Sequence, residues 1–156
     1  PGSPDIPSLD PSENSSDKVR ARAIARKRNS FGKALGDILL PEGRTVESLT
    51  AASIRQAFHE SGYRVLDDKG KVTESTYIVD AEIVKFWSWM KPGFWAITLS
   101  AEISTVLDIK SPAGPSRQTL SVRASDSFQT GMESNWTEVM NKALKLFVDD
   151  LKEKLR

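Results

Sequence analysis

From Trp95 to Ile109 the chain alternates with a period of two. Trp95, Ile97, Leu99, Ala101, Ile103, Leu107 and Ile109 form an apolar row broken only by Thr105, while Thr98, Ser100, Glu102, Ser104 and Asp108 occupy the positions between them. Side chains on a strand point alternately to opposite faces, so this pattern predicts a long strand with one buried and one wetted face. A second strand precedes it from Thr76, with Tyr77, Val79, Ala81 and Ile83 inward because Asp80 and Glu82 fill the even positions. Pro92-Gly93 marks the turn between the two. A plain two-residue turn there would pair 91 with 94 and set Glu82 against Ile103, a polar residue on the buried face. The spacing therefore demands an odd-length loop, or a bulge between Val84 and Met90. After the turn signal at residues 111 to 116, residues 117 to 128 alternate again, with Leu120, Val122, Ala124 and Phe128 inward.

Two segments carry a helical period instead. Val46, Leu49, Ser53, Ile54, Ala57 and Phe58 follow Thr45, a capping residue, and end at Gly62, which suits the left-handed position after a helix; Tyr63 can then fold back onto the last turn. From Asn135 the stripe Trp136, Val139, Met140, Ala143, Leu144, Phe147, Leu151 and Leu155 predicts an amphipathic helix of about five turns. Tyr63 to Leu66 reads as a short strand, and residues 67 to 70 as a turn. Residues 18 to 28 alternate small or apolar residues with bases and read as a half-buried strand, although Ala and Arg also suit a helix. Residues 29 to 44, with Gly32, Gly36, Pro41 and Gly43, read as a loop. The expected fold is α+β and two-layered: a mostly antiparallel sheet of four to five strands with two helices on one face, in the order β-α-β-β-β-α.

The length of 156 residues fits a single core, expected over residues 18 to 156. Residues 1 to 17 hold four Pro and five Ser against two large aliphatic side chains, too little apolar area to offset ordering, so they read as a disordered tail or tether. No apolar run approaches the roughly 20 residues needed to cross a bilayer as a helix. The net charge of +1 gives no whole-molecule attraction to nucleic acid or anionic lipid. With no Cys and one His, disulfides, thiol catalysis and Cys/His zinc sites are excluded for this chain. His59 lies on the first helix without a nucleophile in a local motif, and reads as a surface or half-buried helix residue. The acid pairs Asp67/Asp68, Asp80/Glu82 and Asp149/Asp150 read as a turn, a wet strand face and a helix face. No glycine-rich phosphate cradle occurs. No catalytic, metal or cofactor site is expected.

Two surfaces stand out. Residues 18 to 28 carry six bases and no acid, so Arg20, Arg22, Arg26 and Arg28 are candidate anion contacts, with a charged, aggregation-resistant edge strand as the plain alternative. Residues 86 to 95, FWSWMKPGFW, gather three of the four Trp at a hairpin tip, where polar residues are usual. Trp87, Trp89, Met90, Pro92, Phe94 and Trp95 are thus candidate partner contacts. The alternative is that the tryptophans close the core. A bulge decides part of the matter, since it would turn Trp87 and Trp89 to the outer face.

The segments RNSFG at 28 to 32, TVESLTAASIRQAFHESGYRVL at 45 to 66 and FWSWMKPGFWAITLSAEI at 86 to 103 resemble bacterial envelope lipoproteins of the YajG-like type, over roughly residues 18 to 152. The resemblance implies a non-enzymatic periplasmic domain held on a membrane, such as the outer membrane, by an acylated N-terminal Cys, and supplies no catalytic residues. This sequence lacks that Cys, so the anchor would belong to an upstream segment. The expected function is binding of an envelope protein or a second copy through the aromatic hairpin. An auxiliary lipoprotein of a lipid-transport system, with an apolar ligand between sheet and helices, is the alternative. A nucleic-acid binder is disfavoured, because the aromatics are not interleaved with the bases.

Overall fold

A computed structural model describes residues 4, 5, 7, 16–28 and 34–156. The elements are α1 (Asp17–Arg20), β1 (Ala23–Arg28), β2 (Ala34–Leu39), α2 (Val46–Glu60), β3 (Ile78–Pro92), β4 (Ile97–Ser111), β5 (Gly114–Phe128) and α3 (Glu133–Lys154), with a 3₁₀ turn at Lys69–Lys71. The strands form one five-stranded mixed sheet in the order β2-β1-β3-β4-β5. Only the β1–β3 pair is parallel, and its chain connection runs through β2 and α2. The two long helices share one core with one face of the sheet, giving the expected two-layer α+β arrangement.

The core lies where β4 meets α3. Leu99, Ala101, Ile103, Thr105 and Leu107 on β4 are fully buried, together with Leu120 on β5 and Trp136, Val139, Ala143, Phe147 and Leu151 on α3. Thr105 therefore stays in the buried row despite its hydroxyl, whose oxygen has no hydrogen-bond partner. Helix α2 begins as its sequence requires: the Thr45 hydroxyl accepts from the Ser48 N–H, and the Ser48 hydroxyl accepts from the Thr45 N–H, each at 3.0 Å. It ends at Gly62 with φ +93°, a conformation that glycine adopts at least cost. Tyr63 then folds back, its N–H bonded to the Phe58 carbonyl and its ring edge-on to Phe58 at 5.1 Å.

Three boundaries differ from the sequence reading. The basic segment is not one strand: residues 17 to 20 form α1, capped by the Ser16 hydroxyl, and β1 begins only at Ala23. The expected loop contains β2, an edge strand paired antiparallel with β1 and bulged around Gly36 (φ 115°). The short strand at Tyr63 to Leu66 does not form, because the fold-back onto Phe58 directs that segment across the end of α2. Most of the expected tail lies outside the described residues, but Pro4 and Asp5 form a turn seated against the domain.

The hairpin register resolves the parity conflict. Ile83 pairs with Thr105 and Lys85 with Ser104, leaving Val84 as an unpaired bulge residue, 60% exposed. Glu82 accordingly faces Val106, and Phe86 takes the place opposite Ile103. Beyond the bulge the even residues of β3 face the helices, and Lys85, Trp87 and Trp89 face the other way.

Candidate functional site

The face of the sheet without helices is organised around Trp89. Along β3, β4 and β5 the ladders align Trp87 with Glu102 and Arg123, and Trp89 with Ser100 and Ser125. Glu102 Oε2 accepts from Lys85 Nζ at 3.0 Å and from Arg123 Nη2 at 2.9 Å. Both cations lie over the Trp89 ring, Lys85 Nζ at 5.1 Å and the Arg123 guanidinium carbon at 5.0 Å from its centroid. The indole is thus held by two cation–π contacts whose charges are fixed by one shared carboxylate. Burial works to raise the Glu102 carboxyl, but hydrogen bonds from Arg123 and Lys85, with their charges, outweigh it and hold it below its ordinary value. Beside it the Ser100 and Ser125 hydroxyls are 2.8 Å apart and hydrogen bonded.

The β3–β4 connection projects past this face. Gly93 N–H bonds the Ala96 carbonyl at 2.9 Å, closing residues 93 to 96 as a tight loop. A Cβ on Gly93 would stand 2.5 Å from that carbonyl oxygen, so this close approach requires glycine. Phe94 and Trp95 sit on the loop 89% and 84% exposed, their rings edge-to-face with centroids 4.8 Å apart. Gly131, next to the exposed Met132, lies against Ile97 and Met90 at the base of the same hairpin, so this end of the molecule carries several apolar groups in water.

The six aromatic-hairpin candidates separate into three environments. Phe94, Trp95 and Pro92 are exposed at the tip. Trp89 is half-buried on the helix-free face, and Met90 is half-buried against the core. Trp87 points to the outer face as the bulge requires, yet is only 4% exposed, because the N-terminal turn covers it. Trp95 does not continue the inward row of β4: the strand starts at Ile97, leaving Trp95 in the loop.

The basic candidates do not form a row. Arg20 is exposed on α1, whereas Arg22 turns inward and donates from Nε to the Leu40 carbonyl at 2.8 Å. The side chain of Arg26 is 10% exposed and pairs with Asp37 at 3.4 Å. Arg28 ends β1, and its side chain lies outside the described residues. The β1–β2 pairing that the sequence concealed is what places Asp37 opposite Arg26 and draws that base into the sheet. His59 is exposed on α2. Among the described residues no group of three or more His, Asp or Glu is placed to hold a metal ion, and no helix is long and apolar enough to cross a membrane.

Between α2 and α3 lies an open groove of about 390 Å³ where Leu49, Leu144 and Val148 alternate with Gln56, Glu60 and Lys145. Beneath it the space between sheet and helices is filled by Phe147, Leu151, Leu107 and Leu120. No protein-family model and no curated protein matches the chain.

Proposed function

We propose that this chain is a non-enzymatic docking domain that binds a protein partner, or a second copy of itself, through the Phe94–Trp95 tip. The observation that carries the reading is the exposure of two adjacent aromatic rings on a loop whose backbone is closed by the Gly93–Ala96 hydrogen bond. Burying both rings would remove on the order of 300 Å² of apolar surface from water. At about 25 cal/mol per Å² this gives roughly 7 kcal/mol before the costs of association. Rigid aromatic side chains at a prominent position are the usual energetic centre of an interface. The non-enzymatic part rests on the side chains themselves: His59 stands in solvent, and Glu102 is tied to Lys85 and Arg123.

The resemblance to YajG-like lipoproteins supports placing the domain in the bacterial periplasm, tethered to a membrane through an upstream lipid-modified segment and facing another envelope protein. The second reading, an auxiliary lipoprotein of lipid transport, rests on the groove between α2 and α3, where Leu49, Leu144 and Val148 offer apolar surface beside Gln56, Glu60 and Lys145. Photo-crosslinking from position 94 in an envelope extract, with position 138 on α3 as control, tests the docking reading. A partner or a second copy captured only from position 94, with binding weakened by Trp95→Ala, is expected. Equal capture from both positions, or binding indifferent to Trp95→Ala, refutes it. Native mass spectrometry showing a co-purified lipid would favour the second reading instead.

A further inference from the structure

The two outer strands of the sheet are guarded differently. Strand β2 spans 6 residues and is bulged around Gly36. Strand β5 spans 15, pairs with β4 at every position without a register shift, and among the described residues has no strand on its other side. A long, unbulged edge is a template for further pairing. Which groups it offers follows from the turn before it. The β4–β5 hairpin closes Ser111 on Gly114 across two residues, and a turn of that length closes on a hydrogen-bonded pair. From Gly114 onward the even residues of β5 therefore bond β4, and the odd ones aim their N–H and C=O groups at the free edge. Pro115, with no N–H to offer, occupies the first odd position. Near the other end the Ser127 N–H is taken by the Asp126 carboxylate at 3.0 Å. Between these two stops Arg117, Thr119, Ser121, Arg123 and Ser125 are all exposed, and among the described residues no further backbone bond reaches them. The open stretch is centred on Ser121.

We propose that β5 pairs antiparallel with β5 of a second copy of this chain, about a two-fold axis at Ser121. Register selects that occupant. Moving the axis by half a residue sets each free N–H and C=O against a residue whose own groups are already bonded to β4. An axis at Leu120 opposes Arg117 to the partner's Arg123, and an axis at Arg123 opposes that base to its own copy. An axis at Val122 sets Arg117 against the occupied N–H of the partner's Ser127, and an axis at Thr119 sets Arg123 against the partner's Pro115. The axis at Ser121 matches every free group: Arg117 meets the partner's Ser125, and Thr119 meets the partner's Arg123. It forms about ten interchain hydrogen bonds, the number that an ordinary stable interface carries. Arg117 and the partner's Arg123 then stand only diagonally, and each base already holds an acid, Asp108 at 2.9 Å and Glu102 at 2.9 Å.

The helix layer fits the same seam. Lys142 on α3 reaches Asp126 on β5 at 3.6 Å, so that flank of the helix stands over the edge strand. Leu146, one turn further along the flank, is 41% exposed, and a strand added to β5 runs beneath it. A two-fold axis perpendicular to the sheet keeps both helix layers on one side and closes both edges at once, so pairing stops at two copies. Because Ile97 pairs with Phe128, the Phe94–Trp95 tip lies beyond the Phe128 end of β5. The axis sends the two tips to opposite ends of the seam and covers neither, so the dimer does not rest on the docking role of the tip.

The test combines sedimentation of the full chain with crosslinking from single cysteines, which are clean reporters in a chain that has none. The unmodified chain should sediment as a dimer at or below about 0.5 mM. Ser121→Pro removes an N–H from the free edge, and Ser121→Lys opposes two ammonium groups on the axis; both should be monomeric, the lysine variant with an unchanged melting transition. Under mild oxidation Ser121→Cys should form a linked dimer at least tenfold faster than Ser125→Cys, whose copy lies roughly 26 Å away. Phe94→Ala with Trp95→Ala should leave the dimer intact, and its loss in that variant would place self-association at the tip and overturn the proposal. A chain still monomeric at about 0.5 mM overturns it too, leaving the edge to an extended segment of a different protein. So does a dimer indifferent to both Ser121 variants, or equal crosslinking from the two positions.

Discussion

Single residues of the same type do opposite things in this molecule. Trp136 is fully buried on α3 and Trp95 is 84% exposed on the β3–β4 loop. Replacing Trp136 by Ala should cost about 3 to 5 kcal/mol in urea unfolding, whereas Trp95→Ala and Phe94→Ala should each change stability by no more than about 0.5 kcal/mol. The second pair should instead lower affinity for a docked partner by about 2 kcal/mol. Glu102 provides a test by pH. Its carboxyl is held below the ordinary value of 4.5, so the stability it contributes is complete above that value and is lost as pH falls through the depressed one. The stability gap between the unmodified chain and Glu102→Gln should therefore be constant at neutral pH and narrow under acid. Arg123 is largely exposed, which limits the gap to about 1 kcal/mol. A gap that widened below pH 4.5 would contradict the assigned sign.

At the scale of elements, the bulge is a single surplus residue, and that too can be tested. Deleting Val84 would leave Ile83 opposite Thr105 and Lys85 opposite Ser104, with every side chain on its present face. The shortened chain should fold with an uninterrupted β3–β4 ladder, and solution spectra should show the change confined to residues near 84. Inserting a residue in β4 at the same level would turn one half of the hairpin over and should prevent folding. The need for this bulge was legible because Asp80, Glu82 and Ile103 impose incompatible parities on an unbroken ladder. The β4 row and both long helices were legible for a related reason: one face of each is buried, so the periodicity survives in the sequence. Strand β2 was not, since Gly36 and Asp37 are poor strand formers and an edge strand has one partner to satisfy. The outward position of Trp95 depended on the loop's length, and the cover over Trp87 on a contact spanning 83 residues. Neither quantity is encoded in local spacing. The scattering of the basic run was hidden in the same way, because Arg22 and Arg26 are drawn onto the Leu40 carbonyl and Asp37 across a strand pair that local spacing does not reveal.

The whole molecule is fastened unevenly. Strands β3, β4 and β5 are zipped over nearly their full lengths, 15 residues each, and α3 lies across the last two. By contrast β1 meets β3 at one registered pair, Ala25 with Ser88. A load applied between the N-terminal side and the end of α3 would reach the zipped strands through that pair, through the side-chain packing of Ile24, Ala25 and Ile38, and through Ile54, Ala57 and Phe58 of α2, which share the core with α3. Under tension the molecule should therefore yield in two stages in an optical trap. The first would release residues 23 to 77 as a slack length of at most about 190 Å, at 3.5 Å per residue, and the second would rupture the meander and α3 together. The weaker stage would act as an extension spring, lengthening the chain on the N-terminal side while the hairpin that carries Phe94 and Trp95 stays folded.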